Sequence, residues 1–308
     1  MILENWHEKM KFNIESLQYE FLIKILSLVG KRQMSPHAIQ HPVRKYQLPQ
    51  IMRVFKQYSI AVMEICDHQV FTFTPVKVNC NTHLIYFHGG AYIWQGDMIH
   101  WIFLRNLMRR LDCRASYVDY PLAPEHGITE TMAMAQQAYE FLVNKYPDDK
   151  FIFIGDSAGG GLALALAQKL NREKFPTQPE KMILISPWLD LRLGDLHIEP
   201  LAAKDPLLSI KALSLAADLY ARGADKSVYL LSPLNGEVKG LGEIHLFIGT
   251  RDILWPDCVR FLKKTKKAHQ NVYLHEYENM PHVWIFFPFR QTKEAITRII
   301  EILKNSHS

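Results

Sequence analysis

The stretch from residue 150 to residue 160 reads Lys-Phe-Ile-Phe-Ile-Gly-Asp-Ser-Ala-Gly-Gly, and it decides the fold. Residues 151–154 form a short apolar run typical of a buried strand, and the Ala- and Leu-rich residues 162–170 are typical of a helix. A G-x-S-x-G pattern centred on Ser157 joins them. Because glycine has no Cβ, the chain can turn sharply there. The pattern therefore predicts a strand–turn–helix unit that lifts the Ser157 hydroxyl clear of a sheet.

The rest of the chain repeats this alternation of strand and helix from residue 60 onward. Predicted strands cover residues 60–66, 70–78, 83–87, 115–120, 151–154, 182–186, 244–249 and 272–277. Predicted helices cover residues 99–111, 130–145, 162–170, 211–221, 258–268 and 292–303. Such alternation predicts an α/β class protein with a mostly parallel central sheet flanked by helices. In such sheets ligands bind at the carboxyl ends of the strands.

Composition excludes several classes of protein. The chain has 308 residues, of which 48% are hydrophobic and 22% charged, as in ordinary globular domains. The net charge of +5 is small and no run of five like charges occurs, so we expect no nucleic-acid partner. The four cysteines include no C-x-x-C pair, which favours free thiols over a disulfide framework or a metal site.

The first residues bear on location. They lack the basic start and apolar core of a signal peptide. The apolar run at residues 21–29 contains Lys24 and is too short to span a bilayer. With the free thiols, this predicts a cytoplasmic protein without stable membrane insertion.

Two polar residues follow later predicted strands at the same sheet edge as Ser157. Asp252 comes after the strand at residues 244–249, and His282 comes in the loop before the last helix. A serine hydroxyl becomes a nucleophile when a histidine takes its proton and a carboxylate orients that histidine. We therefore predict Ser157 as nucleophile, His282 as base and Asp252 as acid.

Other candidates fit this arrangement less well. Asp190 is the best alternative acid because it follows the preceding predicted strand, whereas Asp257 falls inside a predicted helix. Asp156 is expected to point away from any base. His275 is in the middle of a predicted strand, and His269 is expected to be a solvated group at a helix end.

A glycine pair after the strand at residues 83–87 supplies a further part of the predicted active site, its backbone hydrogen-bond donors. The sequence from His88 reads His-Gly-Gly-Ala-Tyr, which allows backbone N–H groups to approach a reacting carbonyl closely. Ala158 adds an N–H at the positive end of a helix. We predict an oxyanion hole formed by Gly89, Gly90, Ala91 and Ala158, with His88 holding the loop by hydrogen bonds.

A further motif, Tyr-Pro-Leu-Ala-Pro-Glu-His at residues 120–126, is expected to form a rigid turn in which Glu125 pins neighbouring loops. With this motif, with residues 88–92 and with Gly-Asp-Ser-Ala-Gly-Gly at residues 155–160, the chain resembles the hormone-sensitive-lipase-like branch of the α/β-hydrolase family. The likeness covers roughly residues 60–305. It departs at Ala91, where the family has a third glycine, and at Pro121, where arginine is usual.

The resemblance implies an α/β-hydrolase fold with the three catalytic residues and backbone donors given above, Gly89 supporting the others. It also implies a helical cap. Residues 1–50 carry apolar residues at helical spacing followed by prolines, and from these residues alone a helix packed on the core and a lid are equal alternatives. The resemblance makes residues 1–50 the N-terminal cap segment and residues 51–308 the catalytic domain. An insertion at about residues 189–241 would complete the cap.

The sequence thus predicts a serine carboxylesterase that hydrolyses small, short-acyl esters through an acyl-enzyme, without a metal or other cofactor. Its expected partner is the small-molecule ester, and a homo-oligomer is left open. An amidase, formamidase or peptidase could use the same triad, so sequence does not separate ester from amide cleavage. A non-catalytic ligand-binding member of the fold is the third alternative, and the presence of His282 argues against it.

Overall fold

The computed structural model describes residues 19–28, 30, 35–44, 47–268 and 270–305. His269, one of the alternative bases, and the first 18 residues of the predicted cap segment lie outside the described residues. Within the described chain, no helix combines the length and the apolar character needed to cross a membrane.

A sheet of eight strands forms the centre of the molecule. The strands are β1 (Ser59–Ile65), β2 (His68–Thr74), β3 (Thr82–Phe87), β4 (Arg114–Val118), β5 (Lys150–Asp156), β6 (Lys181–Ile185), β7 (Glu243–Gly249) and β8 (Val272–Tyr277). Their order across the sheet is β1-β2-β4-β3-β5-β6-β7-β8. Strand β2 is antiparallel to both its neighbours, and all other pairs are parallel. The predicted mostly parallel sheet is confirmed.

Ten α-helices surround this sheet in the part of the chain that is described. They are α1 (residues 19–28), α2 (Pro36–Gln40), α3 (Leu48–Val54), α4 (Met98–Leu111), α5 (Ile128–Lys145), α6 (Ser157–Arg172), α7 (Ile198–Ala202), α8 (Ile210–Ala221), α9 (Trp255–Lys267) and α10 (Arg290–Lys304). Short 3₁₀ turns occur at Pro233–Asn235 and Trp284–Phe286.

Both faces of the central strands are buried because successive side chains point to opposite sides. In β5, Phe153 belongs to the apolar core that contains α5 and α6, whereas Ile152 and Ile154 belong to the core that contains α4 and α10. The strand is buried from Phe151 onward. This double burial explains why the strand is a continuous apolar run rather than an alternating one.

The segment before the sheet contributes side chains to the core and also packs against the insertion. Ile39 of α2 and Ile51 of α3 are fully buried. In α1, Ile23 and Leu26 are buried, whereas Phe21 is exposed. At residue 30 the chain meets the insertion so closely that a Cβ would lie 2.7 Å from the Cα of residue 207.

Candidate active site

Ser157 lies at the sharp turn between β5 and α6. Its φ of +51° is in the left-handed region, which non-glycine residues seldom adopt. A Cβ on Gly155 would lie 2.4 Å from the carbonyl oxygen of Gly159, and a Cβ on Gly159 would lie 2.1 Å from that of Phe87. The turn therefore requires both glycines of the G-x-S-x-G pattern.

The structure brings Ser157, His282 and Asp252 into one hydrogen-bonded chain. Nε2 of His282 lies 2.9 Å from Oγ of Ser157, and Nδ1 of His282 lies 2.8 Å from Oδ2 of Asp252. Because the carboxylate accepts a hydrogen bond, the proton of a neutral His282 sits on Nδ1 and the lone pair on Nε2 faces the serine hydroxyl. Asp252 is fully buried, and its Oδ1 accepts from the N–H of Leu254 at 2.9 Å.

The surroundings of His282 set its basicity. Burial acts to lower the pKa of His282, but the Asp252 carboxylate, helped by Asp205 and Asp156, outweighs burial. The pKa of His282 therefore lies above its usual value of 6.5.

Asp205 is a residue near the site that the sequence analysis missed. It comes from the insertion, and its Oδ1 accepts from the N–H groups of Leu207 and Leu208 at 2.8 and 3.0 Å. Its Oδ2 accepts from the N–H of Ile253 at 3.1 Å, so it ties the insertion to the residue after Asp252. Burial, with the nearby Asp252 charge, raises the pKa of Asp205 to about 6. The Asp-Pro pair at 205–206 was the available signal, because such pairs start turns.

The alternative acids are bound elsewhere. Asp190 accepts hydrogen bonds from Nε and Nη2 of Arg192 at 2.8 and 2.7 Å. Asp257 accepts from Arg260 at 2.7 Å within α9. Among the described residues, neither carboxylate contacts His282. The alternative base His275 lies in β8, where its Nε2 is 3.1 Å from Nδ1 of His245.

The expectation that Asp156 points away from any base is wrong. Its Oδ2 lies 3.6 Å from Nε2 of His100, and its Oδ1 accepts from the N–H of Gly89 at 3.0 Å. His100 is far from residue 156 in sequence, and parallel neighbours β3 and β5 bring the segments after them together. Sequence spacing could not show this contact.

The loop after β3 lines the same cavity as Ser157. Gly90 and Ala91 have φ values of +117° and +53°, so the loop crosses the left-handed region in successive residues. In the described chain their N–H groups have no hydrogen-bond acceptor, and both residues line the same cavity as Ser157. The N–H of Ala158 is among the first in α6, which lack acceptors inside the helix. The N–H of Gly89 donates to Asp156, so Gly89 supports the loop.

Three polar side chains, those of His88, Arg44 and Glu125, hold this loop and the loop at residues 120–126 in place. His88 is fully buried, its Nδ1 lies 2.7 Å from the carbonyl oxygen of Gly89, and its ring stacks on Tyr120 at 4.3 Å. Burial lowers the pKa of His88 to about 4, so it is neutral at pH 7. Nη2 of Arg44 lies 2.8 Å from Oε2 of Glu125, and the same guanidinium donates to the carbonyl of Ile93. Arg44 therefore joins the loop at residues 120–126 to the end of the loop after β3, in line with the expected role of Glu125 in pinning neighbouring loops.

A cavity of about 310 Å³ opens above Ser157. Its polar side chains include Asp97, His100 and His282. Its apolar wall comes from both the insertion and the loop after His282: Leu207, Leu208, Leu213, Val283, Phe286 and Phe287. A larger open groove of about 830 Å³ lies between β8 and α10 and contains none of the three triad candidates.

Comparison with known proteins shows the family to which the chain belongs. A sequence model described as the alpha/beta hydrolase fold matches residues 84–286. The chain belongs to this family. It is 33% identical to an esterase of Acinetobacter venetianus over 277 residues, which cover 87% of this chain and 88% of that one. It is 30% identical to an acetyl-hydrolase of Streptomyces hygroscopicus over 209 residues, 66% of this chain and 68% of that one.

A solved structure shows which branch of the α/β-hydrolase family this chain resembles. The crystal structure of an esterase from the bacterial hormone-sensitive lipase family aligns with a TM-score of 0.77 at 26% identity, covering 91% of this chain and 96% of that one. The likeness to the hormone-sensitive-lipase-like branch that the motifs indicated is therefore confirmed.

Proposed function

We propose that this chain is a serine carboxylesterase acting on short-acyl esters through Ser157, His282 and Asp252. One observation carries the proposal: Oγ of Ser157 lies 2.9 Å from an imidazole that a buried carboxylate orients. The same cavity is lined by Gly90 and Ala91, whose backbone N–H groups have no acceptor among the described residues. Membership of a family whose members include named esterases supports ester hydrolysis as the reaction.

The first half of the reaction forms an acyl-enzyme. Nε2 of His282 takes the Ser157 proton while Oγ attacks the ester carbonyl carbon, and the carbonyl π electrons move to the oxygen. The resulting oxyanion accepts hydrogen bonds from the N–H groups of Gly90, Ala91 and Ala158. When the oxyanion collapses, the bond to the alcohol oxygen breaks and His282 gives that oxygen its proton.

The second half repeats these steps with water. His282 takes a proton from water, and the hydroxide oxygen attacks the acyl carbon. The same backbone donors stabilise the second oxyanion. Collapse breaks the bond to Oγ of Ser157, which receives the proton from His282, and the carboxylic acid leaves. Throughout, Asp252 holds the imidazole and stabilises its protonated form.

The cavity supports a short acyl group. Its volume of about 310 Å³ is at the lower end of the roughly 300–1,000 Å³ usual for small-molecule sites. Leucine and phenylalanine side chains close its walls. The similarity to a protein named acetyl-hydrolase points the same way.

A series of p-nitrophenyl esters from acetate to dodecanoate tests this proposal. We expect the highest kcat/KM on acetate or butyrate and a steady fall with longer chains, because longer chains do not fit the cavity. A preference for dodecanoate would contradict the short-acyl assignment. Matched p-nitroanilides, run beside the esters, separate an esterase from an amidase.

A further inference from the structure

A second carboxylate lies beneath the loop that carries the oxyanion donors. Oδ1 of Asp156 accepts hydrogen bonds from the N–H of Gly89 at 3.0 Å and from the hydroxyl of Tyr86 at 2.7 Å. A Cβ on Gly89 would lie 2.1 Å from Oδ2 of Asp156, so the carboxylate packs directly against the loop. The position of Gly90 and Ala91 therefore depends on Asp156.

The charge of Asp156 is balanced by His100. The side chain of Asp156 is only 3% exposed, and Nε2 of His100 lies 3.6 Å from its Oδ2. Burial acts to raise the pKa of Asp156, but the His100 cation outweighs burial and the pKa lies below its usual range. A buried carboxylate without such a partner would take up a proton.

The carboxylate of Asp97 helps to keep His100 protonated. Nδ1 of His100 lies 2.9 Å from Oδ1 of Asp97 and 3.0 Å from the backbone N of Asp97. Nδ1 cannot donate to Oδ1 of Asp97 and at the same time accept from the backbone N–H of Asp97. Because Asp97 and Asp156 place a carboxylate on each side of the ring, the protonated imidazolium, in which Nδ1 donates, is favoured. Burial acts to lower the pKa of His100, but Asp156 and Asp97 outweigh it and raise the pKa to about 10.

Other titratable groups around His100 do not compete for this role. They are His88, which directly follows β3, and Tyr86 within β3, whose rings lie 6.2 and 6.3 Å from the ring of His100. Burial lowers the pKa of His88 to about 4 and raises that of Tyr86, so both groups are neutral at pH 7. His282, whose pKa Asp156 also helps to raise, is neutral in the form of the enzyme that can accept the Ser157 proton. Among the described groups that interact with Asp156, His100 is thus the cation of that form.

We propose that His100 is a positioning residue for ester hydrolysis: its imidazolium keeps Asp156 ionised, and Asp156 fixes Gly89 and the donors that follow it. The proposal rests on the proposed function. A protonated Asp156 would accept a weaker hydrogen bond from the Gly89 N–H. The donors would then lose their fixed orientation toward the oxyanion, and kcat would fall more than KM would rise.

The direct test replaces the imidazole. We expect His100→Gln to lower kcat for p-nitrophenyl acetate about 10- to 100-fold, less than the loss of a whole oxyanion donor, with KM changed less than about threefold. His83→Gln is the control, because His83 is also buried and pairs with a carboxylate, at 3.0 Å from Asp149, but at the opposite end of β3. The control should keep a kcat near that of the wild type.

The ester-hydrolysis rate of the wild type distinguishes a failure of the proposed function from a failure of the proposed role of His100. If the wild type does not hydrolyse esters, the proposed function is wrong. If it does and His100→Gln keeps the wild-type kcat, only the role of His100 is overturned.

A double-mutant cycle tests whether His100 acts through Asp156. The neutral amide of Asp156→Asn needs no cation, so adding His100→Gln to it should cost little more kcat. If the two substitutions instead lowered kcat by independent factors that multiply in the double variant, the proposal would be contradicted.

The pH profile of the single variant His100→Gln gives a further test. The pKa of Asp156 should rise in this variant, and kcat should then show an additional increase with pH that the wild type lacks. A purely structural role would lower the plateau and leave the profile unchanged.

A milder variant keeps the proposal testable if His100→Gln does not fold. The side chain of Asp97 is 63% exposed, so Asp97→Asn should fold. Losing this carboxylate lowers the pKa of His100, and the required protonated form is lost as pH rises through that pKa. Activity should therefore fall at a lower alkaline pH than in the wild type. An unchanged alkaline limb would overturn the proposal.

Discussion

At the residue scale, the backbone of Ser157 shows how local strain and position are linked. A non-glycine residue at φ +51° costs on the order of 1–3 kcal/mol, which the surrounding packing must offset. The offset comes from the close approach of β5, α6 and the end of β3, which leaves no room for side chains at residues 155 and 159. The strained residue thereby holds its hydroxyl at the imidazole.

The choice of acid can be tested at the same scale. Asp252→Asn should lower kcat about 10⁴-fold, because an amide at Oδ2 cannot stabilise the correct tautomer of His282. Asp190→Asn is the control. It should cost stability, since Asp190 binds Arg192 and Ser232, but leave kcat nearly unchanged. Kinetics with p-nitrophenyl acetate and thermal melts measure both, and the reverse ranking of kcat would show that Asp190 is the acid.

The pH dependence of activity follows from His282. Only the neutral imidazole accepts the Ser157 proton, so activity is absent below the pKa of His282 and rises as pH passes through it. Because that pKa is raised, the midpoint of kcat/KM should lie above 6.5. In Asp205→Asn one of the charges that raises the pKa is lost, and the midpoint should move to lower pH. A midpoint below 6.5 in the wild type would contradict the role of Asp252 as a charged partner.

At the element scale, the cavity is closed by segments that are distant in sequence. Residue 30, at the end of the α1 region, touches the insertion, and Nη1 of Arg251 donates to the hydroxyl of Tyr19 at 3.0 Å. That hydroxyl donates in turn to the carbonyl of Asn279 at 2.7 Å. The α1 region is therefore anchored to the loops that carry Asp252 and His282.

This contact predicts an effect on specificity. In Gly30→Ala the new Cβ would lie 2.7 Å from the backbone of Leu207, so α1 and the insertion must separate. We expect weaker discrimination between acyl lengths and a higher KM, with kcat on acetate little changed. The control is Gly194→Ala, because nothing lies within 4 Å of a Cβ there. An unchanged chain-length profile in Gly30→Ala would show that α1 does not shape the cavity.

At the scale of the whole molecule, local patterns predicted the elements better than their arrangement. Strand β8 was predicted with its observed bounds. Strand β2 ends at Thr74 rather than at residue 78, because Pro75 has no N–H to donate to a neighbouring strand, and the apolar Val76 after it is exposed. The alternation of strands and helices predicted parallel pairing. It could not give the sheet order, in which β3 lies between β4 and β5.

The site shows the same division. The sequence predicted Ser157, Asp252 and His282 because each follows a strand in a parallel sheet, and the structure brings them within hydrogen-bonding distance. Asp205 and His100 were missed because their roles arise from contacts between segments about 50 residues apart in the chain. Contacts of this kind depend on packing: the Asp-Pro pair at 205–206 indicates a turn, but not that Asp205 would accept a hydrogen bond from Ile253.

Reaction with a fluorophosphonate probe tests the central claim most directly, because only an activated serine beside an oxyanion hole reacts rapidly with it. Peptide mapping by mass spectrometry should place the label on Ser157, with ester hydrolysis lost in proportion to labelling. Ser157→Ala, the control, should fold but neither take the label nor hydrolyse p-nitrophenyl acetate. Label on another residue, or an unlabelled protein that hydrolyses esters at its full rate after treatment, would contradict the assignment of Ser157 as the nucleophile.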